Sequence, residues 1–413
     1  MASPGKRRAN PRERAVCVWL GGLASYRSSL FRTLLRECGT YDDILSLSPS
    51  HLRAALATPS RRRPQRTELN RGAADDPESA REFAAILAAS PADYLTAVEH
   101  PSPRDTVVAW CEALYPRRLA TIADPPFCLF VRAQCDAAER ERRLATLNSA
   151  SLVAVVGTRA PSAYGEEMAT LLGRDLRRRG AMVVSGMAMG IDAAAQGAAV
   201  SAGGHDGLPT TIAVLGCGAD IVYPRVNRDL FAQVARTGLL LSEYAWGVPA
   251  RAWRFPARNR IMAGLAHAVV VVEGTERSGA RLTADFALES GREVLAVPGE
   301  AGRRLSSAPH RLLREGAAMC ESAVDVLEAI NHEATSCPSA TEIHPSEAKA
   351  RANGAGSTAE TVMAALDQGA MTVEELTVRC ALDARRASAA LSELEVDGRV
   401  RRCDNGVFRR QHS

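Results

Sequence analysis

Residues 153–192 set a pattern that much of the chain repeats. The apolar run 153–156 ends at Gly157, as expected for a strand buried on both faces. Met168, Leu171, Leu172 and Leu176 follow at helical spacing, and Gly180 supplies a C-terminal stop. A second apolar run then reaches Ser185 and Gly186. This is a β-α-β unit with a glycine-bearing loop after each strand, and such loops gather at the carboxyl edge of a parallel sheet, where open α/β folds bind ligands. The alternation continues to about residue 330. Strands are expected at 153–156, 182–185, 212–215, 239–242, 268–272, 293–297 and 317–319, with helix stops at Gly180, Gly238, Gly291 and Gly316. Such alternation implies right-handed crossovers and a mostly parallel sheet covered on both faces, an extended Rossmann-like α/β fold.

The flanks follow different patterns. Residues 1–13 read as a disordered basic arm. Residues 14–100 read as an N-terminal helical (SAM-like) domain, carried by Ala15, Val18, Leu20 and Leu23, then Leu30, Leu34 and Leu35, then 43–45, then Leu52 and Leu56. A loose insertion rich in Arg, Pro and Asp interrupts it at 58–80, before a helical run over 80–98. Residues 101–330 form the Rossmann-like domain, whose lead-in holds Tyr115-Pro116, Asp124-Pro125-Pro126 and an apolar strand at 127–131. Residues 331–357 lack an apolar period and read as a flexible linker. The tail, 358–410, predicts helices over 359–366, 372–379 and 383–397, with Ala387, Leu391 and Leu394 inward. Two short strands around Asp404-Asn405-Gly406 complete a winged-helix pattern.

Composition narrows the class. At 413 residues, two or three domains are expected. The net charge of +4 is not that of a strongly basic chain, and the local runs at 6–8, 61–63, 177–179 and 401–402 read as solvated faces. Ten cysteines contain no Cys-x-x-Cys pair, which argues against a zinc site or a disulfide framework and fits a reducing cytoplasm. No apolar run reaches membrane-spanning length. Arg7-Arg8 before the apolar run 15–24 has the look of an export signal, but Arg12, Glu13 and Arg14 abut the run, so it reads as a first helix.

The chemistry-bearing residues concentrate in the loops after strands: Gly157-Thr158-Arg159, Ser185-Gly186-Met187-Ala188, Gly216-Cys217-Gly218, Ser242-Glu243, Glu273-Gly274-Thr275 and Pro298-Gly299. Backbone N–H groups of glycine-rich loops leading into helices favour anions, phosphate above all. Arg159 adds a fixed charge. In the segment 255–260, Arg258 and Arg260 fall near a helix N-terminus, where the macrodipole disfavours cations. An anion held between them would explain both; ion pairing with Glu243 or Glu273 is the alternative. Ser278 and Thr283 open another helix, as a cap or as phosphate contacts. The dinucleotide fingerprint fits poorly, because Gly157 is followed next by Gly165 and Gly216-x-Gly218 has Ile221 where the third glycine belongs. No ATP-binding Gly-x-x-x-x-Gly-Lys-Ser/Thr loop occurs, and the eight histidines form no nucleophile motif. The residues thus point to an anion-binding α/β domain for a phosphate-bearing polymer or a nucleotide.

Taken together, several ordered motifs resemble the DNA-processing protein A family (DprA, also called Smf). They are residues 153–159, Ser-Gly-x-Ala-x-Gly-Ile-Asp at 185–192, Ala-Val-Leu-Gly-Cys-Gly-Ala-Asp-Ile-Val-Tyr-Pro at 213–224, Phe-Pro-Ala-Arg-Asn-Arg at 255–260, Ser-Gly-x-x-x-Thr-Ala at 278–284 and Ala-Val-Pro-Gly at 296–299. The resemblance implies a homodimeric, non-enzymatic protein without cofactor or metal, which binds single-stranded DNA and loads the recombinase RecA onto incoming strands in natural transformation or related recombination. It further implies that Arg159 holds the DNA backbone or a base, in a pocket built by Gly157, Gly186, Gly216, Gly218, Arg258, Asn259, Arg260, Ser278, Gly279 and Thr283. Thr158 and Ser185 complete the expected set. Departures from the family pattern fall at Gln196, where His is usual, at Ala266, and at Ala308 and His310, the last two expected beside the pocket rim. Two other functions are kept open: a phosphoribohydrolase acting on nucleotides, for which Gly274-Thr275-Glu276 is a partial match, and a nucleotide-sensing DNA-binding regulator.

Overall fold

The computed structural model describes residues 9–24, 77–95, 102–203, 207–330 and most of 371–410, with isolated positions between them. The basic arm up to residue 8, nearly all of 25–76, the linker 331–357 and most of the expected helix 359–366 lie outside the described residues. The chain forms two compact units, residues 1–337 and 338–413.

In the first unit, helix α1 (Pro11–Ala24) starts with Pro11 in its first turn and with Asn10 and Glu13 exchanging backbone-to-side-chain hydrogen bonds of 2.9 Å each. The apolar run that looks like an export signal is this helix: Trp19, Leu20 and Leu23 are fully buried, and Trp19 Nε1 donates to Ile86 O of α2 (Pro77–Ala88) at 2.8 Å. There follow β1 (Asp105–Ala109), the short α3 (Arg117–Ala120), β2 (Cys128–Arg132), α4 (Ala137–Ala145), β3 (Leu152–Val156), α5 (Ala163–Arg178), β4 (Met182–Ser185), α6 (Ile191–Ser201) and β5 (Thr211–Leu215). Then come α7 (Arg228–Thr237), β6 (Leu239–Ser242), α8 (Arg254–Leu265), β7 (Ala268–Val271), α9 (Gly279–Glu289), β8 (Glu293–Ala296), α10 (Ser307–Arg314), β9 (Ala318–Met319) and α11 (Ala323–Ala329).

The strands build one nine-stranded sheet in the order β1-β2-β6-β5-β4-β3-β7-β8-β9. From β6 to β9 every neighbour is parallel, while β2 runs antiparallel to β6 and to β1. Side chains alternate between two cores. Leu152, Ala154 and Val156 enter one with α1 and α8, whereas Val153 and Val155 enter the other with Leu172 and Leu176 of α5. The chain winds outward from β3 through β4, β5 and β6, then returns to pair β7 on the other side of β3. That reversal is a topological switch point, and it places the carboxyl ends of β3 and β7 at a crevice. The expected strands are all present. The sequence pattern missed β1, a short edge strand, and α4, whose residues are mostly charged and whose buried side chains are Arg140 and Leu144.

The second unit holds β10 (Met371–Thr372), α12 (Val373–Cys380), α13 (Ala384–Val396), β11 (Val400–Arg402) and β12 (Val407–Arg410), with strand order β10-β12-β11. Its core includes Leu376, Leu391, Leu394, Val400 and Phe408. Among the described residues the winged-helix unit shows two helices and a hairpin joined by a third short strand; most of the expected helix 359–366 and the turn 404–406 lie outside the described residues.

Candidate nucleic-acid interface

The crevice at the switch point opens into a cleft of about 560 Å³. Gly157, Thr158 and Arg159 enter it from the β3 end, Ser278, Gly279 and Thr283 from the start of α9, and Arg258 and Asn259 from α8. Tyr223 and Phe255 form its rim. A smaller hollow adjoins it, lined by Arg159, Gly186, Met189, Tyr223, Phe255 and Arg258. The cleft and the hollow make one trough, with Arg159, Tyr223 and Phe255 shared between them.

Arg159 sits at the middle. It is exposed, and among the described residues no carboxylate pairs with it; its guanidinium lies 5.5 Å from the Phe255 ring centroid. Phe255 in turn stacks on Tyr223, with centroids 5.1 Å apart and planes 27° apart. Gly216 makes this possible, because a Cβ there would lie 2.8 Å from Phe255 Cδ1. The result is a charged and aromatic platform, a surface suited to a phosphate and a stacked base. Arg225 and Arg228 beyond Tyr223, and Arg277 and Arg304 on the far side, are also exposed and make no ion pair among the described residues. All sit in or just after loops that follow parallel strands, so they flank Arg159 along the same sheet edge.

Arg258 lines the trough as a buried strut. It donates from Nη1 to Gly186 O at 2.7 Å and to Val214 O, and from Nε to Asn259 Oδ1 at 3.2 Å. Burial lowers its pKa, and nearby Asp192 works against that shift. Asp192 accepts from Gly186 N at 3.0 Å and Ala188 N at 3.4 Å, which fixes the β4 loop. Burial pushes the Asp192 carboxyl above its usual range, with Arg258 opposing. Asn259 Nδ2 and Thr283 Oγ1 both donate to Gly279 O, at 3.1 and 3.0 Å, and Ser278 Oγ accepts from Arg281 N at 3.4 Å. These bonds shape the mouth of α9.

Four expected residues do not line the trough. Ser185 is fully buried and donates to Val155 O at 2.7 Å. Gly216 lies beneath Phe255, and Gly218 packs against the backbone of Ala245, to which an added Cβ would come within 2.6 Å. Arg260 points the other way. Its Nη1 and Nη2 donate to the two carboxylate oxygens of Glu243 at 2.8 and 2.7 Å, and Nε donates to Asp124 O at 3.0 Å. Burial works against that charge, but Glu243 and Asp124 outweigh it and hold the guanidinium above its ordinary pKa. Arg258 and Arg260 therefore do not bracket one anion. Residues two apart on a helix face different sides, and here one faces the trough while the other faces Glu243.

Segment 306–310 buttresses the β7 loop rather than lining the cleft: Ala308 N donates to Gly274 O at 3.0 Å, and Gly274 N to Leu305 O at 2.7 Å. Glu276 is exposed and is not among the cleft-lining residues, whereas Asp192 is. Tyr223, Phe255 and Asp192 were missed as site residues although their motifs were read. The available signal was an aromatic residue at each end of glycine- and arginine-rich loops on the ligand-binding edge.

A doubly wound α/β sheet carrying a cationic, aromatic-edged trough at its switch point defines a Rossmann-like protein, and the charge and shape of that trough suit a polyanion. The family model described as DNA recombination-mediator protein A matches residues 106–331, and that of the DprA winged helix domain matches residues 346–406. The chain belongs to the DNA recombination-mediator protein A family. It is 38% identical over 214 residues to the DNA processing protein DprA of Bacillus subtilis, spanning 52% of this chain and 67% of that one. It is 42% identical over 215 residues to Protein Smf of Escherichia coli, spanning 52% and 54%. The X-ray structure of DNA processing protein A from Streptococcus pneumoniae superposes with a TM-score of 0.59 at 29% identity, covering 78% of this chain and 98% of that one.

Proposed function

We propose that this chain binds single-stranded DNA along the carboxyl edge of its sheet and acts there as a recombination mediator. The observation that carries the reading is Arg159: a solvent-facing guanidinium at the switch point, unpaired by any described carboxylate and backed by an aromatic ring. A duplex presents its bases edge-on inside a stack, so an exposed stacking platform suits an unpaired strand. Arg225, Arg228, Arg277 and Arg304 extend the charge on either side and would track phosphates without reading sequence. Of the expected set, Gly157, Thr158, Arg159, Gly186, Asn259, Ser278, Gly279 and Thr283 are the contact surface, Arg258 lines it as a buried strut, Ser185, Gly216 and Gly218 shape it from behind, and Arg260 faces away toward Glu243.

The family description, a recombination mediator, supports the mediating role; in this reading the chain is non-catalytic and delivers RecA onto the bound strand, as a homodimer in the cytoplasm, in natural transformation or related recombination. The domain plan that goes with this is an N-terminal helical domain over 14–100, the DNA-binding domain over 101–330, and a winged helix over 358–410 joined by the linker 331–357. Among the described residues no helix is long and apolar enough to cross a membrane. Titrating DNA binding with salt tests the reading. Single-strand affinity should fall linearly on a log-log plot, by a slope of about 0.7 per phosphate contacted. Arg159→Ala should weaken binding to all sequences, and release of free base from nucleoside monophosphates would count for the enzymatic alternative.

A further inference from the structure

The side chain of Arg159 makes no polar contact with any described residue, so its aim is set by the loop that carries it. That loop is pinned at both ends by one residue. Thr158 N donates to the backbone oxygen of Glu273 at 2.8 Å. Ser162 N donates to Glu273 Oε2 at 2.9 Å, and Ser162 Oγ to Glu273 Oε1 at 2.6 Å. Ser162 Oγ also accepts from Gly165 N at 3.2 Å, which ties the loop to the first turn of α5. Glu273 itself is 6% exposed, stands two residues past the end of β7, and is not among the cleft-lining residues. Position 165 is reserved for it: a Cβ on Gly165 would lie 2.3 Å from Glu273 Oε2.

We propose that Glu273 is the positioning residue for Arg159, locking the 158–162 loop across β3 and β7 so that the guanidinium is held over Phe255 before DNA arrives. A carboxylate at the N-terminus of α5 also suits the helix dipole, and that alone would be a stability role. The carboxylate's two bonds to Ser162, at N and Oγ, are what assign it to the loop; the Thr158 bond is to the main chain and any residue at 273 would keep it. Holding a flexible side chain in its bound arrangement beforehand removes part of the ordering cost of association. The inference rests on the single-strand-binding reading of the trough.

A double-mutant cycle in the full-length chain tests it, with a fluorescent oligothymidylate as probe. Glu273→Ala should weaken binding about three- to tenfold, and should add nothing further in an Arg159→Ala background. Glu273→Gln, which keeps an acceptor for Ser162 N, should restore most of the affinity. Amide exchange at Ser162 should quicken in Glu273→Ala while that of the sheet strands stays unchanged. Should Glu273→Ala fail to fold, Gly165→Ala replaces it. Alanine is the better helix former, yet its methyl group would displace the Glu273 carboxylate, so the chain should fold and show the same loss coupled to Arg159. If Arg159→Ala weakens binding but Glu273→Ala or Gly165→Ala binds like the parent, or the losses multiply, the positioning role is overturned and the DNA-binding reading stands. If Arg159→Ala itself binds like the parent, the DNA-binding reading fails, and the positioning role with it.

Discussion

The Phe255 ring lies between Arg159 and Tyr223, 5.5 Å from the guanidinium carbon of the first and 5.1 Å from the ring centroid of the second. Arg159 comes from the loop after β3, Tyr223 from the loop after β5 and Phe255 from the first turn of α8, so the stack exists only when the three segments meet. Removing its centre should be costly. Phe255→Ala is expected to weaken single-strand binding by about 5- to 150-fold, the range that follows from about 1–3 kcal/mol per stacked base. Gly216→Ala, which forces the ring aside, should weaken it in the same direction. Fluorescence anisotropy with an oligonucleotide checks both.

Arg260 makes the opposite prediction. It is buried in a two-pronged pair with Glu243 and does not reach the trough. Arg260→Ala strands a buried carboxylate, so urea denaturation should show a loss of about 3–5 kcal/mol. Replacing both partners by apolar residues, Arg260→Met with Glu243→Leu, should recover much of that loss. Under conditions where the single variant stays folded, its DNA affinity should match the parent.

Gln196 occupies the position where the family pattern leads one to expect His. Its Oε1 accepts from Met187 N at 3.0 Å, and its Nε2 donates to Ile212 O at 3.1 Å. Met187 has a backbone φ of 56°, a left-handed conformation that only a well-held loop keeps. Gln196→Ala leaves a buried N–H unsatisfied and should destabilise the chain by about 1–3 kcal/mol, measured by denaturant unfolding. It should also loosen the loop 186–189 beside the trough, seen as faster amide exchange there.

Asp192 gives a pH prediction. Its carboxyl is held above the ordinary value of 3.8, first by burial, against the pull of Arg258. The folded state therefore binds a proton more tightly than the unfolded state. The sign follows: stability contributed by the protonated group is complete below about 3.8, and declines as pH rises through the raised folded value. Asp192→Asn should flatten that decline in a series of unfolding curves from acid pH upward.

The fold was legible because most of its strands are short apolar runs, several of them leading into a glycine-bearing loop, and nearly every one appears where those runs lie. What escaped was the outer strand of the antiparallel margin and the charged helix α4. β1 opens on Asp105 and Thr106, and its apolar residues 107–109 run on into Trp110 and Cys111 with no turn signal, while α4 hides its helical nature in the sequence AAERERRLA. In the candidate site, the place of Arg159 in the cleft at the carboxyl edge of the sheet followed from loop position alone. The separate fates of Arg258 and Arg260 did not, because spacing on a helix gives relative direction but not which side meets an acid. Tyr223 and Phe255 are far apart in sequence, and only the packed sheet shows that they stack.

In the proposed function, Arg159 meets the phosphates and bases of an unpaired strand. The most direct test is the salt dependence of single-strand affinity for the parent chain and for Arg159→Ala. Binding should be tighter to single strands than to duplex, weaker in the variant across all sequences, and shallower in log-log salt slope by about 0.7 in the variant. An unchanged slope with unchanged affinity, or a preference for duplex DNA in the parent chain, would contradict this reading.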